Sequence, residues 1–181
     1  MGNWIFTARQ RFTPSQGKDW DSYIKFSGFT NVSEVVTLDS LLCPDLIEDL
    51  IDEDWSHNVQ ADFRITLFTD VAYLRQRIHW RIGQDQLLAI LEHPTCLHQV
   101  PQKFELCGFD IVDDEDGNSV LTNCGQFPKI FSPSDVNDLG LLSDLEQANA
   151  IAAQIRASFP DEPHCCNCRV WQIAREIELC A

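Results

Sequence analysis

The stretch from Glu162 to Glu178, EPHCCNCRVWQIAREIE, places one His and three Cys within five residues and then runs into an apolar segment. Cys165 and Cys168 stand in the C-x-x-C spacing that lets two thiolates converge on one zinc ion across a tight turn. A tetrahedral site needs two more ligands. The segment EHPTCLH offers His93 and Cys96 as a second half, with His98 beside them. The two halves lie much farther apart than in a zinc ribbon or finger. The competing reading is packing, because Cys behaves as a small hydrophobe and is among the most buried residue types. On that reading HCCNC is sulfur packed at the start of a strand. A thioredoxin-like redox role fits poorly, since the C-x-x-C pair leads into a strand pattern and not into a helix N-terminus that would lower a thiol pKa.

Other chemistry finds weaker support. Cys124, in LTNCGQFP, ends an apolar run at a glycine turn, where a nucleophile would be exposed. His57, His79, His93, His98 and His164 each offer a base, and nothing in the spacing selects one. The acidic segment DDEDGN fails as a calcium loop. With Gly117 at the sixth position, Val112 and Asn123 occupy the terminal ligand positions, and neither fits. The phosphate-binding glycine loops, the H-E-x-x-H zinc signature and the G-x-S-x-G elbow do not occur.

Charge is the strongest signal. The 181 residues carry 13 Lys and Arg against 28 Asp and Glu, a net charge of −15. Such a surface repels nucleic-acid backbones and anionic membranes. It suits a basic protein partner. Between Lys25 and Arg64 there is no Lys or Arg, yet Asp45, Glu48, Asp49, Asp52, Glu53 and Asp54 fall there, followed by Trp55. Acid beside an aromatic anchor is a surface that steers and holds a cationic partner. The run is also costly locally. Read as a helix, CPDLIEDLIDEDW ends on three carboxylates, where the macrodipole disfavours negative charge.

An apolar fraction of 44% and an aromatic fraction of 10% belong to a globular chain, and the length suits one domain over residues 1–181. No stretch is long and apolar enough to span a bilayer, and the N-terminus lacks the apolar core of a signal peptide. The expected location is cytoplasmic, with the eight Cys reduced.

These residues need elements to position them. Alternation predicts strands over Asn3–Phe12 and Trp20–Phe29, with a short third within EVVTLDSLL. Helices are expected from Pro44, from Thr69 as cap to Gly83, over QDQLLAILEHP, and from Ser143 as cap to Pro160. The last should bury Leu145, Ala148, Ile151, Ala152 and Ile155. Residues 103–125 read as a β-hairpin; a four-residue loop over Asp114 to Gly117 puts Asp113 opposite Asn118 and Cys107 opposite Cys124, and a shorter loop breaks that pairing. SPSDVNDLG reads as a loop with one helical turn, and CRVWQIAREIEL as a strand. Strands and helices without a βαβ rhythm give α+β: a mainly antiparallel sheet with several packed helices. The function expected is a non-enzymatic, acidic interaction module of the inhibitor or immunity type. The alternative is a zinc-stabilised or cysteine-dependent enzyme built on the Cys/His clusters.

Overall fold

The computed structural model describes residues 3–46, 67–78, 80–113, 117–123 and 130–177. It is an α+β fold around one antiparallel sheet. Among the described residues four strands, β1 (Ile5–Gln10), β2 (Asp85–Glu92), β3 (Phe104–Val112) and β4 (Arg169–Glu176), are ordered β1-β2-β4-β3. The last strand is therefore inserted between β2 and β3. The helices are α1 (Lys18–Ser27), α2 (Val71–Arg77), α3 (Val120–Asn123), α4 (Leu145–Ser158) and α5 (Pro163–Cys166). Among the described residues no helix is long and apolar enough to cross a membrane.

The strand pattern over Asn3–Phe12 and over the C-terminal CRVWQIAREIEL is realised as β1 and β4. The helix expected before Pro160 is α4, and Ala148, Ile151, Ala152 and Ile155 form its buried face, with Leu145 partly covered. Its cap is Asp144 and not Ser143: the Asp144 carboxylate accepts from the Gln147 N–H at 2.8 Å. Asp and Ser are comparable caps, and local spacing alone does not choose between neighbours. The turn expected in SPSDVNDLG is a 3-10 turn over Pro133–Asp135, closed by a Ser132 capping box.

Trp20–Phe29 is a correction. It forms α1, because Trp20, Tyr23 and Ser27 recur at helical spacing and are the residues buried, while Phe26 is 54% exposed. Asp19 and Asp21 lie in the first turn, Lys25 in the last, and Gly28 closes the helix in the left-handed region at φ 71°. QDQLLAILEHP is a second correction. Its apolar run is strand β2, buried on both faces between β1 and β4. A short run apolar throughout carries neither period, so neighbours decide its form.

The helix from Thr69 is shorter than expected and is capped by Asp70, which accepts from the N–H groups of Ala72 and Tyr73. It stops at Arg77, and Arg81 to Asp85 instead make a turn in which the Asp85 carboxylate accepts from the Arg81 N–H at 2.8 Å. Pro44 does not open a helix either. Pro44 to Leu46 run extended beside β1, with Gln10 N–H to Pro44 O at 2.9 Å and Leu46 N–H to Ala8 O at 3.1 Å. The rest of that predicted helix lies outside the described residues. EVVTLDSLL forms only a single bridge, Phe12 to Val35.

Only one arm of the hairpin is a strand. The turn is as expected, with Asp113 N–H bonded to Asn118 O at 2.9 Å. After the Ser119 bridge the chain enters α3, and β3 pairs instead with β4. Cys107 sits at a register shift in that pairing, and Cys124 lies outside the described residues.

On one face of the sheet, Phe6, Ala8, Leu87, Ala89 and Ala174 pack under Phe68, Leu74 and Phe104. On the other, Ile5, Leu88, Ile90, Trp171 and Ile173 meet Val36, Leu38, Leu67 and Leu141. A third cluster joins α1, α3 and α4 to Phe109, Ile111 and Val170 at the β3 side. There the segment ending at Leu142 covers the edge of β3 through paired Phe109–Leu142 backbone bonds of 2.8 and 3.0 Å.

Gly108 makes that cover close. Its φ is +144°, and a Cβ there would lie 2.6 Å from the Leu142 carbonyl oxygen and 2.9 Å from the Leu141 Cβ. Gly108→Ala is therefore expected to destabilise the fold by at least about 2 kcal/mol. In thermal unfolding followed by circular dichroism, that is a fall of roughly 5 °C or more. An unchanged midpoint would show that the bulge does not need glycine.

Candidate functional site

The exit of β2 and the entry of β4 lie at the same end of the sheet, because the two strands are antiparallel neighbours. The His93 N–H continues their ladder by donating to Val170 O at 3.1 Å. Beside this junction α5 hands the chain to β4, and α4 packs against β4. The four segments enclose a cleft of about 560 Å³. His93 and Thr95 come from the β2 exit, Arg169 from the β4 entry, Cys166 and Asn167 from the end of α5, and Arg156 from α4. Arg156 is held in place: its Nη1 donates to the Cys168 carbonyl oxygen at 2.7 Å.

The two Cys/His segments thus meet, but through His93 and Cys166 and not through the C-x-x-C pair. Cys165 and Cys168 are buried in the core beneath α4, with Cys168 fully inaccessible. Burial, opposed by Arg156, pushes the Cys168 thiol up to about 11. Cys96 is exposed, with its sulfur 3.7 Å from His98 Nε2. Among the described residues no group of three or more His, Cys, Asp or Glu side chains is gathered as metal ligands would be.

A second arrangement lies beside the cleft. His164 Nδ1 is 2.8 Å from Asp113 Oδ2; the carboxylate side chain is buried and the imidazole half exposed. A carboxylate so placed fixes which ring nitrogen carries the proton and orients the ring. Asp113 leaves the end of β3 and His164 belongs to α5, so the pair also ties α5 to the sheet. The spacing of 51 residues between them hid this pair from a reading of the sequence.

The sequence reading also missed Asp110. It is fully buried on β3, where it accepts from Ser119 Oγ at 2.7 Å and from the Ile111 N–H at 2.8 Å. Burial, reinforced by the Asp39 carboxylate, pushes its carboxyl up to about 7 against those hydrogen bonds. The same burial, with Asp39 and Asp110, pushes the Tyr23 phenol upward. An alternating strand pattern carrying one Asp gives no hint that its carboxylate faces inward.

Of the acidic run, Asp45 is turned inward. Its side chain is 4% exposed and lies 3.8 Å from the wholly buried Arg9 guanidinium. This corrects its placing on a partner-facing surface, since a buried cation draws the nearest carboxylate to itself. Glu48, Asp49, Asp52, Glu53, Asp54 and Trp55 lie outside the described residues. Comparison of the chain with protein-family models, with curated proteins and with solved structures finds no match.

Two outcomes follow from this chemistry. Because the Asp110 carboxyl titrates near 7 when folded and near 3.8 when unfolded, the folded state holds the extra proton between those values. Its contribution to stability is thus full below about pH 4 and is lost as pH rises through 7. Asp110→Asn is expected to flatten stability against pH across that window in denaturant titrations, and an unaltered profile would refute the assignment. Among the described cysteines, iodoacetamide near neutral pH is expected to label Cys96 and Cys166 first. Cys43 and Cys107, whose thiols burial pushes up to about 12, should label only on unfolding, together with Cys165 and Cys168. Peptide mass spectrometry reads the order, and early labelling of Cys168 would contradict its packing.

Proposed function

We propose that this protein is an acidic interaction module whose surface captures a basic protein partner, in the manner of an inhibitor or immunity protein. The observation that carries the reading is where the cations go. Arg9, Arg11, Arg75, Arg81 and Arg175 each pair with a carboxylate of the same chain: Asp45, Glu34, Glu176, Asp85 and Glu34 respectively. Meanwhile Asp19, Asp21, Asp138, Glu146, Asp161 and Glu162 are exposed. Among the described residues these acids carry their charge at the surface of a chain whose net charge is −15. A field of one sign raises the capture rate of an oppositely charged partner and suits the cytoplasm, where soluble partners meet by diffusion.

The segment Glu48 to Trp55 is the preferred contact, with Leu41, 86% exposed, at its root. The alternative, a zinc-stabilised or cysteine-dependent enzyme, is favoured by one observation, the meeting of His93 and Cys166 on a single cleft. It would use those two side chains in preference to the buried Cys165 and Cys168.

The test uses a basic protein isolated by crosslinking and then purified. Asp49, Asp52 and Asp54 changed together to Asn should slow its association about tenfold at low salt. The change should also reduce the salt dependence of the rate while circular dichroism stays unaltered. Association kinetics equal to those of the unmodified protein would end the proposal.

A further inference from the structure

The cleft at the β2–β4 junction runs against the charge of the molecule. In a chain with more than twice as many Asp and Glu as Lys and Arg, Arg156, Arg169 and His93 all line one cavity, and among the described residues no carboxylate lines it. Arg156 is preorganised. One nitrogen is fixed by the Cys168 carbonyl oxygen at 2.7 Å, so the guanidinium is held at the cleft. Guanidinium groups present forked N–H donors that match the oxygens of a phosphate or carboxylate. Asn167 and Thr95 add neutral donors to the same walls.

The geometry points to this cleft as a binding site for a small organic phosphate monoester. Two guanidinium groups lining one cavity suit a phosphate better than a single carboxylate, because two donor forks match its larger set of oxygens. A volume of about 560 Å³ exceeds what a bare phosphate ion fills and falls within the range of small-molecule sites. Pro94 and Val170 supply an apolar wall for the organic portion. The overall negative charge does not forbid such a ligand, since at physiological salt its field is screened over about 8 Å while the two arginines act at contact. This inference is independent of the acidic surface. The cleft lies on other segments than Glu48 to Trp55, and either reading stands if the other fails.

The probes are phenyl phosphate, inorganic phosphate and benzoate, titrated into the full chain and followed by calorimetry and amide chemical shifts. Phenyl phosphate is expected to bind saturably, more tightly than either of the others, with shifts centred on residues 93–95 and 166–170. Arg169→Gln, a change at an exposed side chain, should weaken it about tenfold. Arg156→Gln should do at least the same. Because Arg156 also holds the Cys168 carbonyl, that variant is accompanied by a thermal melt. Arg81→Gln, which alters an arginine outside the cleft, should bind as the unmodified protein does. Lack of saturation by phenyl phosphate, equal or tighter binding of benzoate, or equal losses in Arg169→Gln and Arg81→Gln would each overturn the proposal.

Discussion

Strand β4 is hydrogen-bonded on both sides, to β2 through Leu88–Glu92 and to β3 through Phe104–Val112. Until residues 169–176 arrive, β2 and β3 have no partner in common, and both carry open edges. An unpaired backbone edge buried among apolar side chains is expensive, so the sheet is complete only once residues 169–176 are in place. The contacts that define the fold are therefore long in sequence, which favours slow, late closure over local assembly. Side chains reinforce the insertion. Glu34 accepts from Arg11 at 2.8 and 2.7 Å and from Arg175 of β4 at 2.8 Å. Burial works against the charged carboxylate, but the two arginines outweigh it and hold Glu34 below its ordinary pKa. Gln172, fully buried in β4, clamps the crossing connection by accepting from the His98 N–H and donating to the His98 carbonyl oxygen.

The candidate site is a consequence of that insertion. With β4 between β2 and β3, its first residues emerge beside the last residues of both neighbours. His93 follows β2, Asp113 follows β3, and the α5 turn bearing His164 and Cys166 precedes β4. Sequence separations of 51 and more residues collapse to hydrogen-bond or cleft distances at that end. Arg156 reaches it because α4 packs along β4, and the same helix covers Cys165 and Cys168. One end of the sheet thus divides the sulfur of HCCNC. Two thiols enter the core, and Cys166 remains at the cleft.

Elements whose pattern is set by their own residues were readable from the sequence. In α4 the buried face follows from Ala148, Ile151, Ala152 and Ile155 alone, and β4 declares itself by alternation. Elements set by neighbours were not. Leu87 to Leu91 form a strand because β1 and β4 flank them, and no periodicity in the run distinguishes that from a helix. In Trp20–Phe29 two periods compete: Trp20, Ile24 and Phe26 alternate, while Trp20, Tyr23 and Ser27 share a helical face. The helical signals, acids first, Lys25 last and Gly28 as cap, were present and outweigh a three-residue alternation. The hairpin was half readable because turn chemistry at Asp113–Asn118 is local, whereas the partner of β3 is more than fifty residues away. For the site, residue types were readable and their grouping was not, since grouping depends on strand order.

The buried arginine of β1 shows how the segment at residues 40–45 is tied to the sheet. Arg9 is fully inaccessible, and placing a guanidinium there is costly unless its donors are met. It donates to the Cys43 carbonyl oxygen and to Ser40 Oγ, each at 3.1 Å, and lies 3.8 Å from Asp45. All three partners belong to residues 40–45, the segment that leads into Glu48 to Trp55. Replacing such a buried pair by apolar groups is commonly neutral for stability, so its use here is better sought in geometry. A charged, directional contact fixes the register of Pro44–Leu46 against β1, where a purely apolar contact would permit slippage. The described part of the segment therefore lies against the sheet in a defined register up to Leu46. Asp45, an acid of the run by its type and position in the sequence, thus serves the fold through Arg9.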